Sequence, residues 1–237
     1  MLYTYYMAIV KTLLHQLLEA IFPTFCVGCN TRGNLLCAKC SAKAPRPEPI
    51  CFECGVASSI GVCPDCARRL HLPRTNIFWV TSFSYVPVRE LIHTLKYRRA
   101  GKAAGTLGEF IFTRLKKNVS GGDIIIPVPM HASRLRERRA NHAELIAAEL
   151  ARHTKLPVHR NVLLKIQSTY SQVAVRSRSA RLKNLADSFA VNKPELINNK
   201  VVILIDDVLT TGATIIECTK TLRAAGVKGI IVIVVAH

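Results

Sequence analysis

Two sets of residues have a chemistry written into their types and spacing. The first is Val201-Val202-Ile203-Leu204-Ile205, followed by Asp206-Asp207 and then Val208-Leu209-Thr210-Thr211-Gly212-Ala213-Thr214. A buried strand ends in two acids, and a short Thr/Gly loop opens a helix. A loop entering a helix N-terminus offers backbone N–H groups and a favourable dipole to a phosphate. Gly212 permits close approach, and the hydroxyls of Thr210, Thr211 and Thr214 add donors. Asp206 and Asp207 stand at the carboxyl end of a parallel strand, where ligands bind. Adjacent carboxylates there suit the vicinal hydroxyls of a sugar, directly or through Mg2+. The competing reading is that Asp-Asp merely caps the helix. Neither G-x-x-x-x-G-K-[ST] nor G-x-G-x-x-G occurs, so neither a P-loop nor a dinucleotide fold is indicated.

The second set is cysteine. Eight of the nine form four C-x-x-C units: Cys26/Cys29, Cys37/Cys40, Cys51/Cys54 and Cys63/Cys66. Each unit puts two sulfurs on one tight turn, and two turns make an all-sulfur tetrahedral site, so two structural zinc ions are expected. Gly28, Gly55 and Pro64 supply the turns. A disulfide framework is the alternative, disfavoured in a reducing compartment. Sequential pairing of the units and a crossed pairing both stand. Four cysteine ligands leave no open coordination position, so such sites hold structure rather than catalyse. Cys218 reads as a small core residue.

These groups must be positioned by a fold. The Pro-rich stretch 41–50 joins the halves of the cysteine module, and 67–75 leaves it, which sets a boundary near residue 70. Residues 1–70 then hold a helix and the module, and 71–237 a second domain. There the pattern predicts strands over 76–86, 123–129, 157–166, 201–205 and 229–235, with helices over 88–97, 103–117, 134–153 and 213–225. Apolar strands alternating with helices imply an α/β fold with a parallel sheet covered on both faces. The apolar face Ile9, Leu13, Leu14, Leu17, Leu18, Ile21 in residues 1–25 predicts a helix docked on the domain. The same stretch lacks a basic n-region and a cleavage site, so neither a signal peptide nor a membrane span is expected, and the location is cytoplasmic.

The formal net charge is +18, and residues 67–183 carry +17 of it. Arg134, Arg136, Arg138, Arg139, Arg176, Arg178, Arg181 and Lys183 flank the loops that would face a ligand, and Lys96, Arg98, Arg99 and Lys102 form another group. Such a concentration suits a polyanion, with salt-dependent binding. Stacking platforms for bases are few: Tyr85, Tyr97 and Tyr170. A solvated basic surface is the bland alternative. His131 and His142 are acid–base candidates, and ordinary surface or capping roles are the commoner reading.

The Val201–Thr214 stretch closely resembles the phosphoribosyl pyrophosphate (PRPP) motif of type I phosphoribosyltransferases. The resemblance implies a parallel-sheet phosphoribosyltransferase-like domain. It gives the ribose hydroxyls to Asp206 and Asp207, with the 5′-phosphate in the loop from Val208 to Thr214, and Mg2+ accompanying PRPP. It places the pyrophosphate loop at Pro127-Val128-Pro129-Met130 and the mobile catalytic loop over 167–181. Four C-x-x-C units ahead of such a domain resemble one family in particular, the competence protein F (ComF) family of natural transformation. Phe22-Pro23, Leu91-Ile92, Leu95-Lys96-Tyr97 and the spacing Gln172, Arg181, Asn184, Phe189 share in that likeness. The family's R-x-R-G-[FY]-N-Q stretch is altered: Arg136, Arg138 and Asn141 match, while Arg139, Ala140 and His142 replace Gly, the aromatic and Gln.

The resemblance implies handling of incoming single-stranded DNA, with competence-machinery proteins as further partners. The second reading is an active phosphoribosyltransferase acting from PRPP on an acceptor the sequence does not give. The chain reaches His237 directly after its last strand, so the hood that covers the base in type I enzymes is expected from residues 67–120 or from the cysteine module.

Overall fold

The computed structural model describes residues 20–95, 100–138, 140–167 and 187–237, with Tyr6 and Leu185. Within the cysteine-rich part lie two short helices, α1 (Ala38–Lys43) and α2 (Pro64–Arg69). There follow β1 (Thr75–Thr81), α3 (Val86–Thr94), α4 (Ala100–Val119) and β2 (Ile124–Pro127). Next are α5 (Ala132–Arg138), α6 (His142–Thr154), β3 (Leu163–Lys165) and β4 (Phe189–Val191). The last elements are β5 (Val201–Val208), α7 (Ala213–Ala224) and β6 (Gly229–Ala236).

Four of the strands form one parallel sheet in the order β1-β6-β5-β2. Their apolar runs leave no polar face, so both faces must be covered. The two-residue strand period sorts them. Ile124, Ile126, Val202, Leu204, Val232 and Val234 face one core with Ile215, Ile216 and Leu222 of α7. Ile125, Ile203, Ile205, Ile231, Ile233 and Val235 face the other core with Leu91, Leu107, Ile146 and Leu150 of α3, α4 and α6.

The two cysteine halves divide between these faces. Cys51, Val62, Cys63, Cys66, Leu70 and Leu72 join the α7 side. Cys26, Leu35, Leu36, Cys40 and Ala44 join the α3–α4–α6 side. The N-terminal segment therefore straddles the sheet at the edge strand β1. Ile77 N–H donates to the Ile60 carbonyl at 2.8 Å, covering part of that edge. On the other side Arg114 of α4 donates to the Ser41 and Ala44 carbonyls at 2.7 and 2.8 Å. The Tyr85 hydroxyl donates to the Cys40 carbonyl at 2.7 Å.

The structure differs from the sequence expectation at four places. The strand over 76–86 ends at Thr81, and Val86 already opens α3. The single helix over 134–153 is two helices. Asn141 breaks it: its Oδ1 accepts from Ala143 N–H at 3.1 Å, while its Nδ2 donates to the Val128 carbonyl at 3.0 Å, which makes Asn141 an N-cap. The strand over 157–166 reaches β2 only as a parallel bridge between Val158 and Ile125. The chain then turns at Arg160 and Asn161, and β3 pairs antiparallel with β4, outside the main sheet. β5 runs three residues past the apolar run, through both acids. The expected helix near the N-terminus falls mostly outside the described residues. No helix among the described residues is long and apolar enough to cross a membrane.

Gly61 sits at φ 72°, and a Cβ there would overlap the Ile77 carbonyl oxygen. Gly61→Ala should lower the unfolding free energy by about 3 kcal/mol in denaturant titration, because strain and a backbone clash add. A loss under about 0.5 kcal/mol, the range of ordinary surface changes, would show that the module does not dock on β1 this way.

Candidate functional site

Pairing of β5 with β6 places Asp206 opposite Val234 and Val208 opposite Ala236, so the acids stand within the strand end. Asp206 Oδ1 accepts from Asp207 N–H at 2.9 Å, and Asp207 Oδ1 from Val208 N–H at 2.8 Å. Beyond them, buried Leu209 donates its N–H to the Ala236 carbonyl at 2.9 Å. The His237 Nδ1 donates to the Leu209 carbonyl at 2.9 Å, and Trp79 meets the His237 ring edge-on at 5.0 Å. Gly212, at φ 74°, is the N-cap of α7, and its carbonyl accepts from Ile216 N–H at 2.8 Å. The turn thus aims the first turn of α7 at the space above the acids.

That space is a cleft of about 550 Å³. The stretch Asp206–Thr214 lines it together with Val128, Pro129 and Met130, which follow the neighbouring strand β2. Pro127 does not line it; it is the buried last residue of β2. Arg134 and Arg138 also line the cleft, one helical turn apart on α5. Arg136 is exposed and is not among the lining residues, as its position two residues round the helix requires. Lys96, Arg98, Arg99, Arg139, Arg176, Arg178, Arg181 and Lys183 lie outside the described residues, as do Tyr97, Tyr170 and most of 167–181. Lys102 donates to Thr24 Oγ1 at 3.0 Å and so ties α4 to the first cysteine half. The hydroxyl of Tyr85 is engaged with that half.

The cleft includes residues that sequence patterns missed. Lys165, at the end of β3, lines it and lies 5.5 Å over the Phe189 ring. Burial and then Arg134 hold its pKa below the usual lysine range. Phe83, Ile92 and His93, from the β1–α3 connection and α3, form an apolar-to-polar wall. His131 also lines the cleft, and its Nδ1 accepts from Ser133 N–H at 3.2 Å. His131 is already one of the two acid–base candidates of the sequence; no periodicity marks Lys165, Phe83, Ile92 or His93, and only tertiary packing brings them to the cleft.

The acid pair is electrostatically divided. Burial first, then the neighbouring Asp207 charge, pushes Asp206 well above the usual carboxylate range. Burial opposes ionisation of Asp207 too, but the hydrogen bond and charge of His142 outweigh it and hold Asp207 below that range. His142 is buried, with Nδ1 3.4 Å from Asp207 Oδ2. Its Nε2 has no hydrogen-bond partner among the described residues.

The cysteines gather as Cys26, Cys29, Cys37, Cys40 and as Cys51, Cys54, Cys63, Cys66, the sulfurs of each set within 4.8 Å of one another. This is the sequential pairing. Metal–sulfur bonds of about 2.3 Å in a tetrahedron put sulfurs about 3.8 Å apart. The Cys29–Cys37 and Cys54–Cys63 separations are 3.5 and 3.7 Å. Backbone N–H groups of Cys40 and Cys66 point at the sulfurs of Cys37 and Cys63. The Cys29 thiol is lowered to about 6, chiefly by its hydrogen bond with Thr31. Burial and the neighbouring sulfurs push Cys40 and Cys66 up to about 12. Ionisation of Cys40 and of Cys66 is opposed until a cation balances it, so both sets fit a metal ion. Cys218 is fully buried, and burial pushes its thiol up.

The raised Asp206 gives a signed pH dependence. A raised carboxyl stabilises the fold below its unfolded pKa of about 3.9, and that contribution is lost as pH rises through the folded value. Asp206→Asn stays neutral throughout. Its melting temperature should match wild type near pH 4 and exceed it increasingly as pH rises above that. A constant offset would contradict the placement of Asp206.

A family model described as the phosphoribosyl transferase domain matches residues 120–237. Competence protein F of Haemophilus influenzae is 30% identical over 220 residues, covering 86% of this chain and 93% of that protein. DNA utilization protein YhgH of Escherichia coli K12 is 27% identical over 201 residues, covering 82% and 87%. A glutamine PRPP amidotransferase from B. subtilis superposes on 56% of this chain and 26% of its own, at 17% identity and a TM-score of 0.39. The α/β architecture is a parallel-sheet phosphoribosyltransferase-like fold, with two four-cysteine clusters at its N-terminal end. With four C-x-x-C units ahead of that fold and this identity over nearly the whole of a relative, the chain belongs to the competence protein F family.

Proposed function

We propose that this protein handles incoming single-stranded DNA in the cytoplasm during competence and that its cleft takes PRPP or a related ribose phosphate. One observation carries the reading: the acid pair, the Thr/Gly loop and two arginines share a single cleft. In this reading Thr210, Thr211, Gly212, Ala213 and Thr214 hold the 5-phosphate. Asp206 and Asp207 take the ribose hydroxyls, with Mg2+ favouring their ionised forms. Val128, Pro129 and Met130 border the pyrophosphate. Arg134 and Arg138 reach from the same cleft toward DNA phosphates, joined by the basic residues outside the described region. The names of two relatives, competence protein F and DNA utilization protein, support the biological setting. Each cysteine set holds one structural zinc, and the closed sulfur shells leave the metal no part in chemistry.

A second reading is favoured by the wall of Phe83, Ile92 and His93, where a flat acceptor would lie facing the loop. There the protein would transfer phosphoribose from PRPP, displacing pyrophosphate at the anomeric carbon.

Fluorescence anisotropy of single-stranded DNA near physiological salt, with and without Mg2+ and PRPP, tests both. Micromolar or tighter binding, reduced by PRPP, is expected under the first reading. Arg134→Ala with Arg138→Ala should weaken it for all sequences alike and lower the salt slope by about 1.4. Absence of DNA binding alongside retained PRPP binding would move the function to the transferase. Asp206→Asn with Asp207→Asn should abolish PRPP binding while the protein keeps two zinc ions per chain by elemental analysis. Unchanged PRPP affinity would refute the acid pair as its site. Stripping the zinc should unfold the cysteine segment, seen as lost protection in proteolysis, because metal binding is its folding energy.

A further inference from the structure

The Gly212 turn is touched from an unexpected side. A Cβ at Gly212 would lie 2.5 Å from Phe52 Cε2 and 3.3 Å from Phe52 Cδ2 and Cζ. Phe52 stands between two metal-site cysteines, in Cys51-Phe52-Glu53-Cys54. Its ring packs half-buried against the α7-side core. We infer that Phe52 is a positioning residue that braces the Gly212 turn, so that order in the phosphate loop follows metal occupancy of the second cysteine cluster. This rests on the reading of that loop as a ribose-phosphate site.

The knuckle leaves the ring little freedom. Phe52 N–H donates to the Gly61 carbonyl at 2.9 Å, Cys51 N–H to the Val56 carbonyl at 2.7 Å, and Gly55 N–H to the Cys51 carbonyl at 2.9 Å. Arg69 pins the far side through Glu53 at 2.9 Å. With both sulfurs held by one ion, the two ends of a four-residue turn are fixed, and the ring between them is fixed with them. The contact also sharpens the demand for glycine. A φ of 74° alone tolerates asparagine, whereas the ring leaves no room for any side chain. Among the described residues the first cluster offers no such route to the loop. It lies on the other face of the sheet, and its Gly28 packs on Pro87 of α3.

Hydrogen–deuterium exchange of residues 209–215 reads the brace without any ligand, and PRPP titration reads its consequence. In zinc-loaded full-length protein, Phe52→Ala should speed exchange of the loop and raise the PRPP Kd, each about tenfold. Phe52→Leu, which keeps apolar bulk in the knuckle, should show a smaller change in the same direction and decides the matter if Phe52→Ala fails to fold. Cys54→Ser should speed loop exchange, and Cys29→Ser should leave it at the wild-type rate. Wild-type exchange and affinity in the Phe52 variants at full zinc content would overturn the brace. Equal effects of Cys29→Ser and Cys54→Ser would overturn the metal link. If wild type shows no PRPP affinity while Phe52→Ala still opens the loop, the brace stands and the ligand reading falls.

Discussion

The pairing of β5 between β2 and β6 is the constraint on which the rest depends. A strand flanked by partners on both edges and buried on both faces has no place for a charge along its length. Charge is admissible only where β5 has outrun β2, whose pairing ends at Ile205, and there Asp206 and Asp207 stand. The same register fixes the next residues, since the Leu209 N–H still bonds to the Ala236 carbonyl before the chain turns at Gly212. The cleft is therefore not an accident of loop conformation. It is the nearest polar space that a two-sided apolar strand leaves open. Burial and the Asp207 charge push Asp206 up, while His142, at the start of α6, holds Asp207 down.

A two-sided sheet also needs cover at its edges, and here helices do not suffice. β1 is an edge strand, and the cysteine halves close around it, one on each face. Neither half has enough apolar side chains for an independent core. Each fits a metal ion at its centre and adds a few side chains to a core that the sheet has already made. The cysteine clusters are thus part of the same packing as the cleft, with Phe52 meeting Gly212 between them.

Legibility in the sequence followed how local each signal was. The apolar run 201–205 with its acids and Thr/Gly loop is contiguous, and so are the C-x-x-C units. Their partnership is not local, and contact decides the sequential pairing. The break at Asn141 escaped the helical pattern because its cause is the Val128 carbonyl in another element. The antiparallel pair β3 and β4 has three-residue strands, too short to show alternation. Net charge pointed to a polyanion without ranking the arginines. Helical geometry does rank them, bringing Arg134 and Arg138 to the cleft and turning Arg136 away. Lys165 and Phe52 carry no sequence mark, since each matters through what tertiary packing brings beside it.

The pairing of β1 with β6 has a consequence for the order of assembly. Thr75 meets Ile230, so β1 has no partner strand until nearly the whole described chain has been synthesised. Contacts of such long range are slow to form and leave an unpaired edge exposed in the meantime. The cysteine loops close over short stretches, at little entropic cost, and their carbonyl at Ile60 already occupies part of the β1 edge. During translation the cysteine halves would cover only this outer edge of β1, so its inner edge stays open until β6 arrives.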